Sequence, residues 1–356
     1  MSEISRPSGY KIALDCMGGD LGPSEAVAAA ALAIRDGVIG PEDTIILVGH
    51  EDNLRLLAVE NRISKSKRIQ FKNAASVVQS DDAAMTVIKS KRDSSMMVAL
   101  DLLKSGEADV VVSTGNTKAL VAAGTIKVRP MEGAERPALA AIMPRREGHF
   151  VMLDVGANPE AKPEHLVHNA VLGSIYAQSA LGIAQPRVGL LTVGTEEGKG
   201  GARINRTHSI LKAMGDKINY VGPVEGFDVF GDACDVVVTD GFTGNVILKT
   251  IEGLVYMLRD MVGQKVKSNP VYLAGGIAMF PLLRELKGKL KPEQYGGAPL
   301  LGLSGLVMKA HGSSNRQSIA SAIRLGMEAL GHGANRRMLI ALAEANTIIS
   351  SIPVEE

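Results

Sequence analysis

The chain reads as a three-layer α/β/α protein on a mainly parallel sheet. Three observations carry that expectation. Short, almost wholly apolar runs recur along the sequence, too apolar to leave either sheet face wet. Ala-rich stretches of helical length lie between them. Most of the runs give way to a polar loop containing glycine.

The runs are "IIL" (45–47), "DVVV" (109–112), "LAAIM" (139–143), "VMLDV" (151–155), "VGLLTV" (188–193) and a second "DVVV" (235–238). The spacing predicts helices over 24–36, 95–106, 164–181 and 318–330. The length allows one sizeable α/β domain or two interlocked lobes, without low-complexity linkers or short repeats.

Composition narrows the function classes. Of 356 residues, 46% are apolar and 22% charged, and 39 Lys and Arg against 38 Asp and Glu leave a net charge of +1. That balance excludes a disordered chain and argues against nucleic acid as a partner, which would call for a basic excess. There is no Trp and only 3% aromatic residues, against 39 Gly, so backbone-lined sites are expected rather than base-stacking platforms. Cys16 and Cys234 are the only cysteines, which leaves no disulfide framework and no Cys-rich metal site. No apolar leader opens the chain and no run approaches membrane-span length, so the expected location is cytoplasmic.

The loops after the runs hold the chemistry. "LDCMGGD" places Asp15 and Asp20 on either side of Gly18-Gly19. The other loops are "STGNT" (113–117), "GANPE" (156–160), "GTEEGKGG" (194–201) and "TDGFTGN" (239–245). In parallel sheets ligands sit beyond the strands' carboxyl ends. Glycine lets backbone N–H groups approach an oxyanion, and Asn, Thr and Lys add donors. The expectation is that all five loops line one polar cleft. No stretch has the spacing of a dinucleotide or P-loop motif, and none has a zinc spacing, so a small anion is the expected ligand, without cofactor or metal.

Several long stretches together resemble the phosphate acyltransferases of bacterial phospholipid synthesis, the PlsX family. They include "IALDCMGGDLGP", "SKRDSSM" (90–96), "STGNTKAL" (113–120), "ERPALA" (135–140) and "LDVGANPEAKPEHL" (153–166). They continue through "VGLLTVGTEEGKG" (188–200), "DVVVTDGFTGNVILKTIEG" (235–253) and "YGGAPLLGLSGLVMKAHG" (295–312). The resemblance implies reversible transfer of a fatty acyl group from acyl carrier protein to inorganic phosphate. It also implies a homodimer and a fold akin to phosphotransacetylase and the isopropylmalate-dehydrogenase class, a single unit over 1–356 of two interlocked lobes around a cleft. Where the family commonly has Gly after "GNT", this chain has Lys118, and where it usually has Ala this chain has Cys16.

That reaction needs an anion positioned, an oxyanion stabilised and a thiolate released. The expected catalytic residues are Asn116, Lys199, Asp240 and Asn245, with Lys199 neutralising phosphate or thiolate. The expected substrate contacts are Asp15, Gly18, Gly19, Asp20, Gly115, Thr117, Asn158, Thr243, Gly244 and His311, the aspartates orienting the donors. Blander roles compete: Asp15 as a helix cap, Asp240 as an Asx-turn residue and Cys16 as core filler. His311 and Lys309 read equally as cleft donors and as satisfied structural residues.

Segment 251–293 differs from the rest. Leu254, Val255, Leu258, Met261 and Val262 form one helical apolar stripe, and Met279, Leu282, Leu283, Leu286 and Leu290 another. Seven cations (Arg259, Lys265, Lys267, Arg284, Lys287, Lys289, Lys291) face three acids (Asp260, Glu285, Glu293). An apolar, basic helical hairpin suits a dimer interface, peripheral contact with an anionic membrane, or both. The resemblance adds a membrane-embedded glycerol-3-phosphate acyltransferase as the product's consumer. Two other functions compete with acyl transfer. One is a metal- and NAD-dependent decarboxylating dehydrogenase of the same fold class; the other is a non-catalytic scaffold between carrier protein and membrane.

Overall fold

The computed structural model describes residues 9–194, 199–282 and 296–353. Eleven strands among them form one sheet. In chain order these are β1 (Lys11–Asp15), β2 (Thr44–Gly49), β3 (Ile69–Asn73), β4 (Val110–Ser113), β5 (Ala138–Pro144) and β6 (His149–Leu153). They continue as β7 (Val188–Thr192), β8 (Tyr220–Glu225), β9 (Val236–Val238), β10 (Gly297–Leu301) and β11 (Leu306–Ala310). The spatial order is β3-β2-β1-β4-β11-β10-β5-β6-β9-β7-β8.

Every predicted run is a strand, and the sheet is mainly parallel, as its apolar runs require. Two parallel blocks are present: β3, β2, β1, β4 and β11, and then β6, β9, β7 and β8. Between them β10 runs antiparallel to both β11 and β5, and β5 antiparallel to β6. Three reversals make the second block run opposite to the first.

Helices cover both faces. On one face α1 (Pro23–Arg35), α2 (Glu51–Glu60), α6 (Pro163–Ala180), α7 (Gly201–Ala213), α10 (Arg316–Gly331) and α11 (Ala334–Ser351) pack over Leu14, Val112, Met308 and Leu153. On the other, α4 (Ser95–Ser105) and α5 (Thr117–Lys127) lie over Ala13, Val111 and Val307, with α3 (Ala84–Ser90) at their side. The first half of α8 (Gly241–Lys267) joins this second layer through Ile247, Leu248 and Ile251.

The rest of α8 has a different environment. Beyond Glu252 most of its residues are exposed, among them Leu254, Val255, Tyr256, Met257, Leu258, Met261 and Val262. The short α9 (Pro270–Ala278) follows, exposing Val271, Leu273 and Ile277, with Met279, Phe280 and Leu282 exposed just after it. The stripe expected over 251–262 is helical. Leu283, Leu286, Leu290 and the charges from Arg284 to Glu293 lie outside the described residues.

The entry of α8 is tightly set. A Cβ on Gly244 would lie 2.0 Å from the Asp154 carbonyl oxygen, closer than any side chain tolerates. Gly244→Ala is therefore expected to cost at least about 2 kcal/mol, as overpacking a rigid contact does. Urea denaturation followed by circular dichroism checks this.

Candidate active site

The carboxyl ends of β1, β4 and β11 meet at one edge of the sheet. Asp15, Ser113 and Lys309 are register partners on these three strands, so their side chains share one face. Asp15 and Ser113 are fully buried, and Ser113 Oγ donates to Asp15 Oδ2 at 2.6 Å. The same Oγ accepts the Gly115 N–H at 3.1 Å, and Asp15 Oδ1 accepts that of Met17 at 3.3 Å. Asp15 thus braces two glycine loops against each other rather than capping a helix. A Cβ on Gly18 would sit 2.7 Å from the Gly115 Cα, so the "GG" turn and the "TGN" loop touch backbone to backbone. Gly19 lies beside Thr114, and the Asp20 N–H donates to the Gly312 carbonyl at 2.8 Å.

Cations gather here. Lys309 is 7% exposed, and its Nζ donates to the Ala310 carbonyl. Burial pushes its pKa down to about 8, Asp15 and Asp20 oppose that fall, and Lys249 reinforces it. His311 is held below the ordinary imidazole range by burial first, then by Lys249 and Lys309. Its Nδ1 accepts the Ser313 N–H at 3.2 Å and lies 2.8 Å from Ser313 Oγ, which leaves the proton of the neutral ring on Nε2. Lys249 Nζ pairs with Glu252 at 2.7 Å.

The loops after β6, β9 and β7 form a second cluster. Asp154 Oδ1 accepts the N–H groups of Leu139, Gly156 and Ala157 at 2.9–3.0 Å, and Oδ2 that of Asn158 at 2.7 Å. Asn158 donates its amide to the Pro137 carbonyl at 2.6 Å, and its own carbonyl accepts the Gly241 N–H. Asp240 caps α8, accepting the Thr243 N–H at 2.8 Å and the Thr243 hydroxyl at 3.1 Å, and pairs with Arg203 at 2.8 Å. Asn245 is exposed, facing Gly156 one turn into α8. Lys199 is exposed, and its carbonyl accepts the Thr192 hydroxyl.

Strand direction separates the starting points of the five loops expected to line one cleft. Because the second block runs opposite to the first, its carboxyl ends lie at the other edge of the sheet. Asp15, Gly18, Gly19, Asp20, Gly115, Asn116, Thr117 and His311 belong to the first edge. Asn158, Lys199, Asp240, Thr243, Gly244 and Asn245 start from the second. Helix α8 spans the two: it begins at Gly241 behind its Asp240 cap, and Lys249 and Glu252 lie within electrostatic reach of His311.

Some residues expected as donors are already engaged. Asn116 caps α5 through Oδ1, which accepts the Ala119 N–H, while Nδ2 donates to the carbonyls of Ser80 and Asp82. In this arrangement it shapes the "GNT" loop and ties it to segment 80–82. Thr243 and Asn158 are engaged likewise. Lys118 lies exposed in the first turn of α5, so its side chain sits in ordinary helical backbone. Ser113, Lys249, Glu252 and Arg203 escaped the sequence reading. The Asn245, Lys249, Glu252 spacing along "GNVILKTIE" was the available signal, since i, i+4 and i+7 share a helix face.

Two parallel blocks joined by an antiparallel pair, with glycine loops at the strand ends, make this a phosphotransacetylase-like α/β fold. A phosphotransacetylase from Streptococcus pyogenes superposes with a TM-score of 0.62 at 18% identity, covering 90% of this chain and 94% of that one. The EutD phosphotransacetylase from Staphylococcus aureus gives 0.58 at 17% identity, over 91% and 95%. In sequence, residues 10–337 match the family described as "Fatty acid synthesis protein". A phosphate acyltransferase from Desulfitobacterium hafniense (strain Y51) is 42% identical over 91% of this chain and 94% of its own length. That of Bacillus cereus (strain G9842) is 44% identical over 88% and 92%. The chain belongs to the phosphate acyltransferase family and is an acyltransferase. Family membership decides against the dehydrogenase and scaffold readings.

Cys16 and Cys234 are buried, and burial is the main cause that raises both thiols, Cys234 to about 11. Neither is a nucleophile at neutral pH. A thiol titration with a disulfide reagent is expected to find no fast-reacting thiol in the native protein and two after denaturation.

Proposed function

We propose that the chain transfers a fatty acyl group from the thioester of acyl carrier protein to inorganic phosphate. The acyl phosphate formed is reactive and amphiphilic, and it feeds phosphatidic acid and phospholipid synthesis. The observation that carries this reading is family membership over nearly the whole chain. The β1–β4–β11 edge supports it chemically, since glycine backbone and cations converge there as an anion requires. Asn245 and Lys249, on one face of α8, offer an exposed amide and a cation from the other side.

The decisive assay mixes purified protein, palmitoyl carrier protein and phosphate, with and without NAD and magnesium. Acyl phosphate is expected in all arms. No product without NAD or magnesium would overturn the reading. Asn245→Ala is expected to cut turnover by roughly 10²-fold, the usual cost of one oxyanion donor. Lys199→Ala separates two roles for that residue: a weakened phosphate response places it at the anion, and an altered carrier-protein response places it in docking.

The exposed apolar length of α8 and α9 supports a homodimer and peripheral contact with an anionic membrane. A membrane-embedded glycerol-3-phosphate acyltransferase would then meet the product at that surface. No described helix is long and apolar enough to cross a membrane. Burying one large apolar side chain stabilises by roughly 1.5–3 kcal/mol, and a cation near an anionic surface adds about 1 kcal/mol. Ile277, Phe280, Lys265 and Lys267 together therefore give reversible attachment. Ile277→Glu with Phe280→Glu is expected to abolish sedimentation with anionic vesicles while activity in solution persists. Dissociation into inactive monomers would assign the segment to the dimer instead.

A further inference from the structure

Lys309 is the buried cation the sheet places most deliberately. It is the penultimate residue of β11, in register with Ser113, which is in register with Asp15. The three side chains form a row on the face covered by α4, α5 and the start of α8. Ser113 is committed to Asp15, and Asp15 to Ser113 and the Met17 N–H. An ammonium has three N–H donors. Among the described residues Nζ meets one acceptor, the Ala310 carbonyl, and no carboxylate lies within 4.0 Å of it. A buried cation without an anion partner is costly, and a ligand anion removes that cost. The charged groups that face it are Asp15 from β1, Asp20 from the "GGD" turn, Lys249 from α8 and His311 from its own loop.

We propose that Lys309 receives the phosphate nucleophile at this edge and passes a proton to the departing sulfur. The proposal rests on acyl transfer from a thioester to phosphate. An oxygen of hydrogen phosphate forms a bond to the thioester carbonyl carbon, the carbon–sulfur bond breaks, and its electron pair goes to sulfur. The Nζ proton goes to that sulfur, and Nζ takes back the proton of hydrogen phosphate. Acyl phosphate and thiol leave, with Lys309 restored. Other cations suit the role less well. Lys249 is half exposed and paired with Glu252, and Lys199 starts from the opposite edge. His311 carries no charge at neutral pH, since burial and two lysines disfavour its protonated form.

The pH dependence follows from the sign of the shift. Lys309 is cationic below about 8 and neutral above it. Phosphate use should therefore fall as pH rises through that value, while phosphate remains an anion. Lys309→Met is expected to raise the phosphate KM at least tenfold and to lower kcat by roughly 10²-fold or more, the range of a lost proton donor. Its thermal midpoint at pH 7 should be no lower than that of the parent, because a buried charge has been removed. Lys309→Arg should retain phosphate binding and lose the alkaline limb, because a guanidinium keeps its proton. An unchanged phosphate KM and an unchanged alkaline limb in Lys309→Met would overturn the proposal.

A parent-protein experiment decides the case should that variant not fold. Inorganic phosphate alone should raise the thermal midpoint at about pH 7 and lose that effect by about pH 10, where the lysine is neutral. A phosphate effect that is absent at pH 7, or constant across this range, would overturn the proposal. If the parent makes no acyl phosphate from carrier-protein thioester, the donor reading fails, and the phosphate-binding arm still decides the role of Lys309.

Discussion

The carboxylate of Asp154 is the point on which the second half of the molecule turns. It directly follows β6 and collects four backbone N–H groups, from Leu139 on β5 and from Gly156, Ala157 and Asn158 in the loop beyond. Burial pushes its pKa up, and the four N–H bonds oppose that rise. Closed in this way, the loop presents the Asn158 carbonyl to the Gly241 N–H and the Asp154 carbonyl to Gly244. Both contacts fix where α8 starts and in which direction it leaves. At 1.5 Å per residue, Lys249 lies about 12 Å along the helix from its first residue, far enough to cross toward β11. The relation between the two sheet edges is thus set by one buried carboxylate and by the absence of a side chain at Gly244.

Much of the fold was legible because most of its strands are buried on both faces. Runs such as "DVVV" and "VGLLTV" have no other comfortable place, and α1, α4, α6 and α10 each fall on a predicted stretch within a residue or two. The strands that escaped notice lack that signal. β3, "IQFKN", is polar and largely exposed; β8 and β10 carry glycine and proline; and β11 carries Lys309 in a buried row. Missing β10 and β11 also hid the reversals. A list of loops after strands carries no record of strand direction, so five loops that look alike read as starting from one edge. In the structure they start from two, with α8 running between them.

The same blindness applies to side-chain roles. Asn116 and Asn245 sit in near-mirror motifs, "TGNT" and "FTGNV", and look interchangeable in sequence. Yet Asn116 is the residue before α5, where its oxygen caps the helix and its amide is drawn to Ser80 and Asp82. Asn245 lies inside α8, where no helix end competes for its side chain. Lys309 shows the converse. A lysine within an apolar run reads as an accident of composition, and only the register with Ser113 and Asp15 shows that it ends a row of polar groups. The energetic cost of keeping it there exceeds what one carbonyl offsets, and an incoming anion supplies the remainder.

Helix α8 carries a further constraint, because it runs unbroken from Gly241 to Lys267. Its first three turns are held by the core through Ile247, Leu248 and Ile251, and its last four present apolar side chains around much of the circumference. An amphipathic helix packed on one surface needs one apolar stripe. Leu254, Val255, Leu258, Met261 and Val262 form a broad one, Met257 flanks it, and Tyr256 lies on the opposite side, more than a single flat partner surface covers. With no proline or break between the halves, a load on the exposed end is transmitted to the end that holds Asn245 and Lys249. A second copy or a lipid surface on that end would, under the proposed function, act on a helix that also carries Lys249, within electrostatic reach of His311. Under the proposed function, the surface that receives an amphiphilic product and the residues that help form it belong to one rigid element.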